Sequence, residues 1–287
     1  DKNLFSNNKL GSADIQSNFK LHNYDTNKFT KFVVNDIDWK SKNLDFSSGI
    51  KSKILGKFKN VNYEAKNVDK YKKDQTSELF GALGLLSEID LYKKTSNNFE
   101  HFLSPKILFR YAPDHMRKEE NGPRLDNLNI FTMDRINATN NFESGANATV
   151  GFDYKITNKD QELDFSLGQV INSKENKKMP SSTSLDEKLS DIVGNTNLKI
   201  NENVTFKYNF ALDQNYSDMN FNELNANFNF NPINFDFNYL QEKKHIGNQE
   251  YLEGKAELRK GQNGLFSFET KRNLVTNSSE YYNLSYE

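Results

Sequence analysis

The amino-acid sequence predicts an all-β protein. The expected architecture is an antiparallel up-and-down transmembrane β-barrel, as a partial barrel or open curved sheet of roughly 13–15 strands. Three observations carry this. Apolar and polar residues alternate with period two along most of the chain. Many alternating runs last about 9–13 residues, whereas globular strands average about 5–6 and membrane-barrel strands need about 9–11. Short turns at 157–162, 201–203 and 231–232 contrast with long polar segments at 112–127 and 172–188, the two-ended pattern of membrane barrels.

Bulk properties agree and exclude several classes. The mean hydropathy of −0.84 is low, but in a barrel only alternate strand residues meet lipid and the loops are polar. The longest apolar stretch, "LFGALGLL" at 79–86, is far short of the roughly 18–20 residues of a transmembrane helix. With 38 basic and 39 acidic residues, net charge −1, nothing electrostatic calls for nucleic acid. The absence of cysteine excludes disulfides, zinc–thiolate sites and thiol catalysis within 1–287. The N-terminal "DKNLFSNNKLGS" has no signal-peptide pattern, and "YYNLSYE" stops within an alternating run. Residues 1–287 are therefore expected to be one β-barrel domain, an internal part of a longer protein.

Along the chain, the first long strand places Leu44, Phe46, Ile50, Ile54 and Phe58 on one face and Lys51, Lys53 and Lys57 on the other. Leu79, Leu83, Leu85, Ile89 and Leu91 form a second apolar face, and Phe99, Leu103, Ile107, Phe109 and Tyr111 a third. Trp39, Tyr63, Tyr111 and Tyr154 fall near strand ends, where an interfacial aromatic girdle would place them. "TSLDEKLSDIV" at 183–193 carries a helix-cap signal, yet reads better as a loop entering a strand.

Three hairpins can be registered, because facing residues of an antiparallel pair share a face. The first pairs Ile156 with Leu163, Tyr154 with Phe165, Phe152 with Leu167 and Val150 with Gln169. The second pairs Ile200 with Val204, Leu198 with Phe206, Thr196 with Tyr208 and Ile192 with Leu212. In "NANFNFNPINFDFNYL" the alternation changes parity at Asn231-Pro232. That switch pairs Phe230 with Ile233, Phe228 with Phe235, Ala226 with Phe237 and Leu224 with Tyr239. Phe228, Phe230, Phe235 and Phe237 are thus expected to face lipid, with the intervening amides lining a lumen.

No motif for chemistry stands out. His22, His101, His115 and His245 lack metal-ligand spacing, and no nucleophile elbow, P-loop or dinucleotide fingerprint occurs. No catalytic residue, metal or cofactor is expected, and no enzyme activity. Arg110, Arg124 and Arg135 can together line a lumen. Asp134-Arg135, between a short apolar run and a strand, reads as a structural ion pair on the polar wall rather than a substrate contact. Gln169, at an apolar-phase position, is expected to satisfy backbone or a neighbouring strand.

The ordered set Pro105 to Pro113, Asp126, Asp134-Arg135, Gly145 to Tyr154 and Ser166-Leu167-Gly168-Gln169 resembles the C-terminal β-barrel domain of the LPS-assembly family LptD, also called organic solvent tolerance protein, over about 70 residues. The resemblance implies an outer-membrane barrel in a Gram-negative envelope. It also implies a periplasmic jelly-roll in front, a plug lipoprotein LptE inside, a periplasmic Lpt bridge, and insertion of lipopolysaccharide into the outer leaflet through a seam between first and last strands. The jelly-roll and the family's cysteines are absent from 1–287, and the chain is short for the family's full barrel. Arg110, Asp126, Asp134, Arg135 and Gln169 are the polar residues expected to line the lumen or serve a structural role. Two alternatives share much of the strand evidence: another outer-membrane barrel, porin or transporter, and a soluble β-sandwich binding module.

Overall fold

Alternation this regular leaves the chain no helical face to bury, so it pairs strand to strand. The structure, a computed structural model, describes residues 1–287 except 25–26, 114, 260 and 262–263. Asp114, within the expected loop 112–127, therefore lies outside the described residues. The strands are β1 (Lys2–Asn7), β2 (Gly11–Tyr24), β3 (Lys28–Lys40), β4 (Leu44–Asp45), β5 (Ile50–Lys66), β6 (Thr76–Ile89), β7 (Leu91–Lys94), β8 (Glu100–Ala112), β9 (Gly145–Thr157), β10 (Glu162–Asn172), β11 (Ile192–Asn201), β12 (Val204–Leu212), β13 (Met219–Phe230), β14 (Ile233–Glu242), β15 (Gln249–Arg259), β16 (Leu265–Asn273) and β17 (Ser278–Tyr286). β4 continues β3 beside β5, and β7 continues β6 beside β8. Fifteen ladder strands result, and each pairs antiparallel with its neighbour in sequence. One 17-segment sheet forms, not the two facing sheets that a sandwich requires. Among the described residues no ladder joins β17 to β1, so the sheet is open.

The hairpin registers follow the parity argument closely. All four pairs expected for β9–β10 and all four for β13–β14 form. In β11–β12 the pairs from Ile192↔Leu212 to Leu198↔Phe206 form, but the register shifts after Lys199 and Val204 pairs with Asn201. The expected Ile200–Val204 pair is therefore replaced by a bulge at Ile200, which lets the short turn close. A 3-10 turn, Ser181–Thr183, leads into the 183–193 segment, which then runs as a loop with one bridge, Leu189 to Ile171, before β11 begins at Ile192.

Connections sort by end. The turns after β1, β4, β7, β9, β11, β13 and β15 are short. The opposite end carries the two long connections, 113–144 and 173–191. Both fold back against one face of the sheet, which is concave. Arg124 reaches Glu242 of β14 at 2.8 Å, and Asp134 reaches Lys59 of β5 at 3.2 Å. Those strands lie eight ladder steps apart, roughly 38 Å along the sheet at about 4.8 Å per step. Ten residues containing a turn at Asp126 to Ile130 bridge them, which only a curved sheet allows.

The outer, convex face in the short-turn half is apolar: Ile54, Phe58, Leu83, Leu85, Phe109, Phe230, Phe235 and Phe237 are exposed there. Phe228 shares that face and is half-buried. Towards the long-loop end the outer positions turn polar, as at Asn60, Asn62 and Glu64 of β5, while inner Val61, Tyr63 and Ala65 are buried. Tyr63 is the exception to the expected girdle. It points inward, 4% exposed, against Phe32 and Tyr71, whereas Tyr111 is outward and 62% exposed. Among the described residues the two core clusters lie where loops cover the inner wall. One cluster joins Val34, Val61, Phe80 and Leu108 to Met133 and Phe142, and another joins Val170, Val193, Ala211 and Phe221 to Leu125, Ile130 and Ile136.

Candidate functional site: a polar lumen with a strapped loop

In the short-turn half the inner wall is a lattice of charge and amide. Lys57 pairs with Asp38 at 2.7 Å, Lys106 with Asp153 at 2.6 Å, and Lys155 with Glu162 at 2.6 Å. Asn227 donates to Asp236 at 2.6 Å and Asn238 to Glu253 at 3.3 Å. These amides, with Lys207 and Lys255, line an inner trough of about 520 Å³. Such part-exposed pairs contribute at most about 1 kcal/mol each. Their consequence is a wall that presents donors and acceptors to whatever occupies the lumen.

The long-loop half is different, because its ions are buried. Glu143, at the end of the loop, sits between two guanidiniums, Arg135 of the loop and Arg110 of β8, the latter 3.5 Å away. Arg135 Nε also donates to Glu143 Oε2 at 2.9 Å and its Nη1 to Thr149 of β9 at 3.2 Å. Arg110 Nε donates to the Met133 carbonyl at 2.7 Å. Burial alone would push the Glu143 carboxyl up, but Arg110 and Arg135 outweigh it and hold it at about 2. Asp134 turns the other way, to Lys59 of β5, whose ammonium also donates to the Asn141 carbonyl. Burial pushes the Asp134 carboxyl up, against the pull of Lys59. Asp134 and Arg135 are thus not a pair with each other. Each ties the loop to a different strand, Asp134 to β5 and Arg135 to β9.

Two further ties extend the strap. Arg117 pairs with Glu78 of β6 and lies near the rings of Tyr63, Tyr71 and Phe80. Arg124 pairs with buried Glu242 and stacks on Phe221, 3.3 Å from the ring centroid. Arg110 and Arg135 are fully covered and Arg124 only partly so. Among the described residues Asp126 makes no ion pair; its Oδ1 accepts the backbone N–H groups of Leu128 and Asn129, both at 2.9 Å, and so shapes the loop's turn. Gln169 does not line the lumen; it shares the outer face with Leu167 and Ile171, and its Nε2 donates to the Ser190 carbonyl at 2.9 Å, a structural contact.

The glycines of the sequence motif have a specific use. Gly84, Gly151 and Gly168 lie on the inner face of β6, β9 and β10. A Cβ at Gly84 would meet Met133 Sδ at 2.8 Å, and one at Gly168 would meet Ile130 Cδ1 at 2.9 Å. At Gly151 it would meet the Leu167 carbonyl at 2.3 Å and Phe131 at 3.0 Å. The wall is bare there so that Ile130, Phe131 and Met133 can rest on backbone.

Lys59, Glu78, Glu143 and Glu242 are absent from the sequence-derived set. Lys59 and Glu143 carry a faint signal, a charge next to an apolar strand run and a charge just before a glycine-started strand. Neither signal identifies a partner more than 70 residues away, as for Lys59 and Asp134.

No curated protein matches the chain. Among solved structures, a mutant of the Rh. blastica porin aligns over 96% of this chain and 98% of that one, with 6% identity and a TM-score of 0.30. The family described as "LptD: LPS transport system D" matches residues 41–274, the stretch that contains both long loops, the bare glycines and the ion pairs of Asp134, Glu143 and Glu242. The chain therefore belongs to the LptD family, and its fold is an LptD-type outer-membrane β-barrel domain.

Proposed function

We propose that residues 1–287 are barrel-domain sheet of an outer-membrane translocon that inserts lipopolysaccharide into the outer leaflet of a Gram-negative outer membrane. The observation that carries this reading, beside family membership, is the division of the sheet. An aromatic band faces outward, an amide and lysine wall faces inward, and the loops fold inside the concavity. The outer band meets acyl chains. The inner wall offers a hydrated path to saccharide too polar to cross hydrocarbon. Long loops at one end support the reading that this end faces the cell surface. The protein does no covalent chemistry in this reading; it lowers a barrier, and energy comes from the rest of the transport chain. Its partners are lipopolysaccharide, the plug lipoprotein LptE in the lumen and the periplasmic Lpt bridge. Arg110, Asp134 and Arg135 hold the loop that narrows the lumen, and Phe228, Phe230, Phe235 and Phe237 contact lipid.

Depletion of the full-length protein in a Gram-negative host is the test. The expected result is loss of surface lipopolysaccharide, with heat-modifiable gel mobility of the purified protein. Unchanged surface lipopolysaccharide on depletion, or a full-length protein soluble without detergent, overturns the reading.

A further inference from the structure

Residues 120–129 of the first long loop reach furthest from the strands that root it. The loop leaves β8 and returns to β9, yet Arg124 touches β14, five ladder steps beyond β9, roughly 24 Å along the sheet at about 4.8 Å per step. Both flanks of this reach are held. On one side Glu119 pairs with Lys70 at 3.0 Å, accepts Asn141 Nδ2 at 2.9 Å and donates its backbone N–H to the Lys178 carbonyl at 2.9 Å. On the other, Ile130 rests on Gly168 and Asp134 pairs with Lys59. Among the described residues, Arg124 to Glu242 is the one ion pair or hydrogen bond that joins 120–129 to a strand.

That tie is of the weaker kind. Arg135 commits three nitrogens to Glu143 and Thr149 and is fully covered. Arg124 commits one, Nη1 at 2.8 Å; its buried Nε has no acceptor among the described residues, and its side chain is 32% exposed. A single charged bond within reach of water is weaker, and more readily screened by salt, than a bidentate one sealed from it. The carboxylate also tolerates release. Glu242 Oε1 accepts the backbone N–H groups of His245 at 2.9 Å and Lys244 at 3.2 Å, so a departing guanidinium leaves a charge that is still hydrogen-bonded. The segment keeps its own shape meanwhile. Asp126 Oδ1 holds the N–H groups of Leu128 and Asn129, and Asn129 Nδ2 donates to the Arg124 carbonyl at 2.7 Å. Its apolar hold is Leu125, in a cluster with Met116 and Met179, and thioether side chains repack readily.

We propose that residues 120–129 are a flap with Arg124 as its latch on β14, and that the flap swings off β13 and β14 while 130–144 stays on the wall. Release uncovers the lumen beside β10–β14 at the long-loop end and leaves the remainder closed. The device does not depend on what the lumen carries.

The test is methionine oxidation in the full-length protein in detergent by dilute hydrogen peroxide, read residue by residue by mass spectrometry. Met179 and Met133 are both buried, the first in the cluster with Leu125 and the second on Gly84 in the fixed part of the loop. Met179 is expected to oxidise faster than Met133, and faster still as salt rises, because salt screens the latch. Arg124→Gln is expected to speed oxidation of Met179 about tenfold and abolish its salt dependence, with Met133 unchanged. Glu242→Gln is expected to act in the same direction. Wild-type oxidation of Met179 in the folded Arg124→Gln variant overturns the proposal. Equal acceleration of Met179 and Met133 overturns it too, because the whole loop then loosens as one body. Retained heat-modifiable mobility confirms that a variant folds. If neither does, the wild-type protein decides, and salt-independent oxidation of Met179 overturns the flap. The readout needs no cargo, so its failure leaves the transport reading standing.

Discussion

Replacing Glu143 by Gln keeps the shape of the side chain and removes the charge between Arg110 and Arg135. Two routes give the size of the effect. The carboxyl is held at about 2 against an ordinary 4.5, a difference worth about 3 kcal/mol in favour of the folded loop. Breaking a buried pair by removing one partner costs about 3–5 kcal/mol in general, because an uncompensated charge remains. The two agree on about 3 kcal/mol. The barrel ladders do not involve this carboxylate, so the loss falls on the opening of 113–144 rather than on the sheet. Hydrogen exchange of amides 130–144 in the full-length protein is therefore expected to speed up roughly 100-fold in E143Q, with exchange in β13 and β14 unchanged. The pH dependence has a fixed sign. The folded carboxyl titrates below its unfolded value, so its contribution is complete above pH 4.5 and is lost as pH falls from there through about 2. Wild-type exchange rates in E143Q, or equal acceleration across the sheet, would refute the strap argument.

Three further outcomes follow from the faces and the contacts. Phe235→Arg on the outer face is expected to destabilise insertion into lipid vesicles by about 2–4 kcal/mol, while Asn234→Arg on the inner wall costs under about 1 kcal/mol; equal costs contradict the assignment of faces. In a chain without natural cysteine, Asn62→Cys is expected to react with a membrane-impermeant maleimide and Phe58→Cys to be protected, since β5 changes outer polarity between them. Equal labelling would remove that boundary. Gly168→Val places two methyl groups where Ile130 and Phe131 rest and is expected to cost the loop about 1–3 kcal/mol, read as faster trypsin cleavage at Arg124 and Arg135 without loss of heat-modifiable mobility.

Family membership gives these contacts a context. The ions buried around Glu143, Asp134 and Glu242 lie where loop 113–144 meets the wall, and the amide and lysine lattice lies in the open half. The sheet thus divides along its strands into a half with an apolar outer band and a polar inner wall and a half closed by its own loops.

Strand identity and hairpin register were decided by the sequence alone, because period-two alternation leaves one register in which every facing pair matches. Phe228↔Phe235 and Tyr154↔Phe165 could be written down before any coordinates. The two-ended loop pattern was equally legible. Three things needed the tertiary structure. The bulge at Ile200 answers to the geometry of turn closure and leaves the apolar pattern intact. The inward turn of Tyr63 reflects a reversal: above the membrane half the outer face meets water and the inner face meets loops, so apolar no longer means outward. The partners of Asp134 and Arg135 depend on how far the sheet curves and where a 32-residue loop lands on it. Lys59 and Asp134 are distant in sequence and Arg135 and Glu143 close, yet their charges alone fit many partners, and only the packed loop selects Lys59 for one and Glu143 for the other.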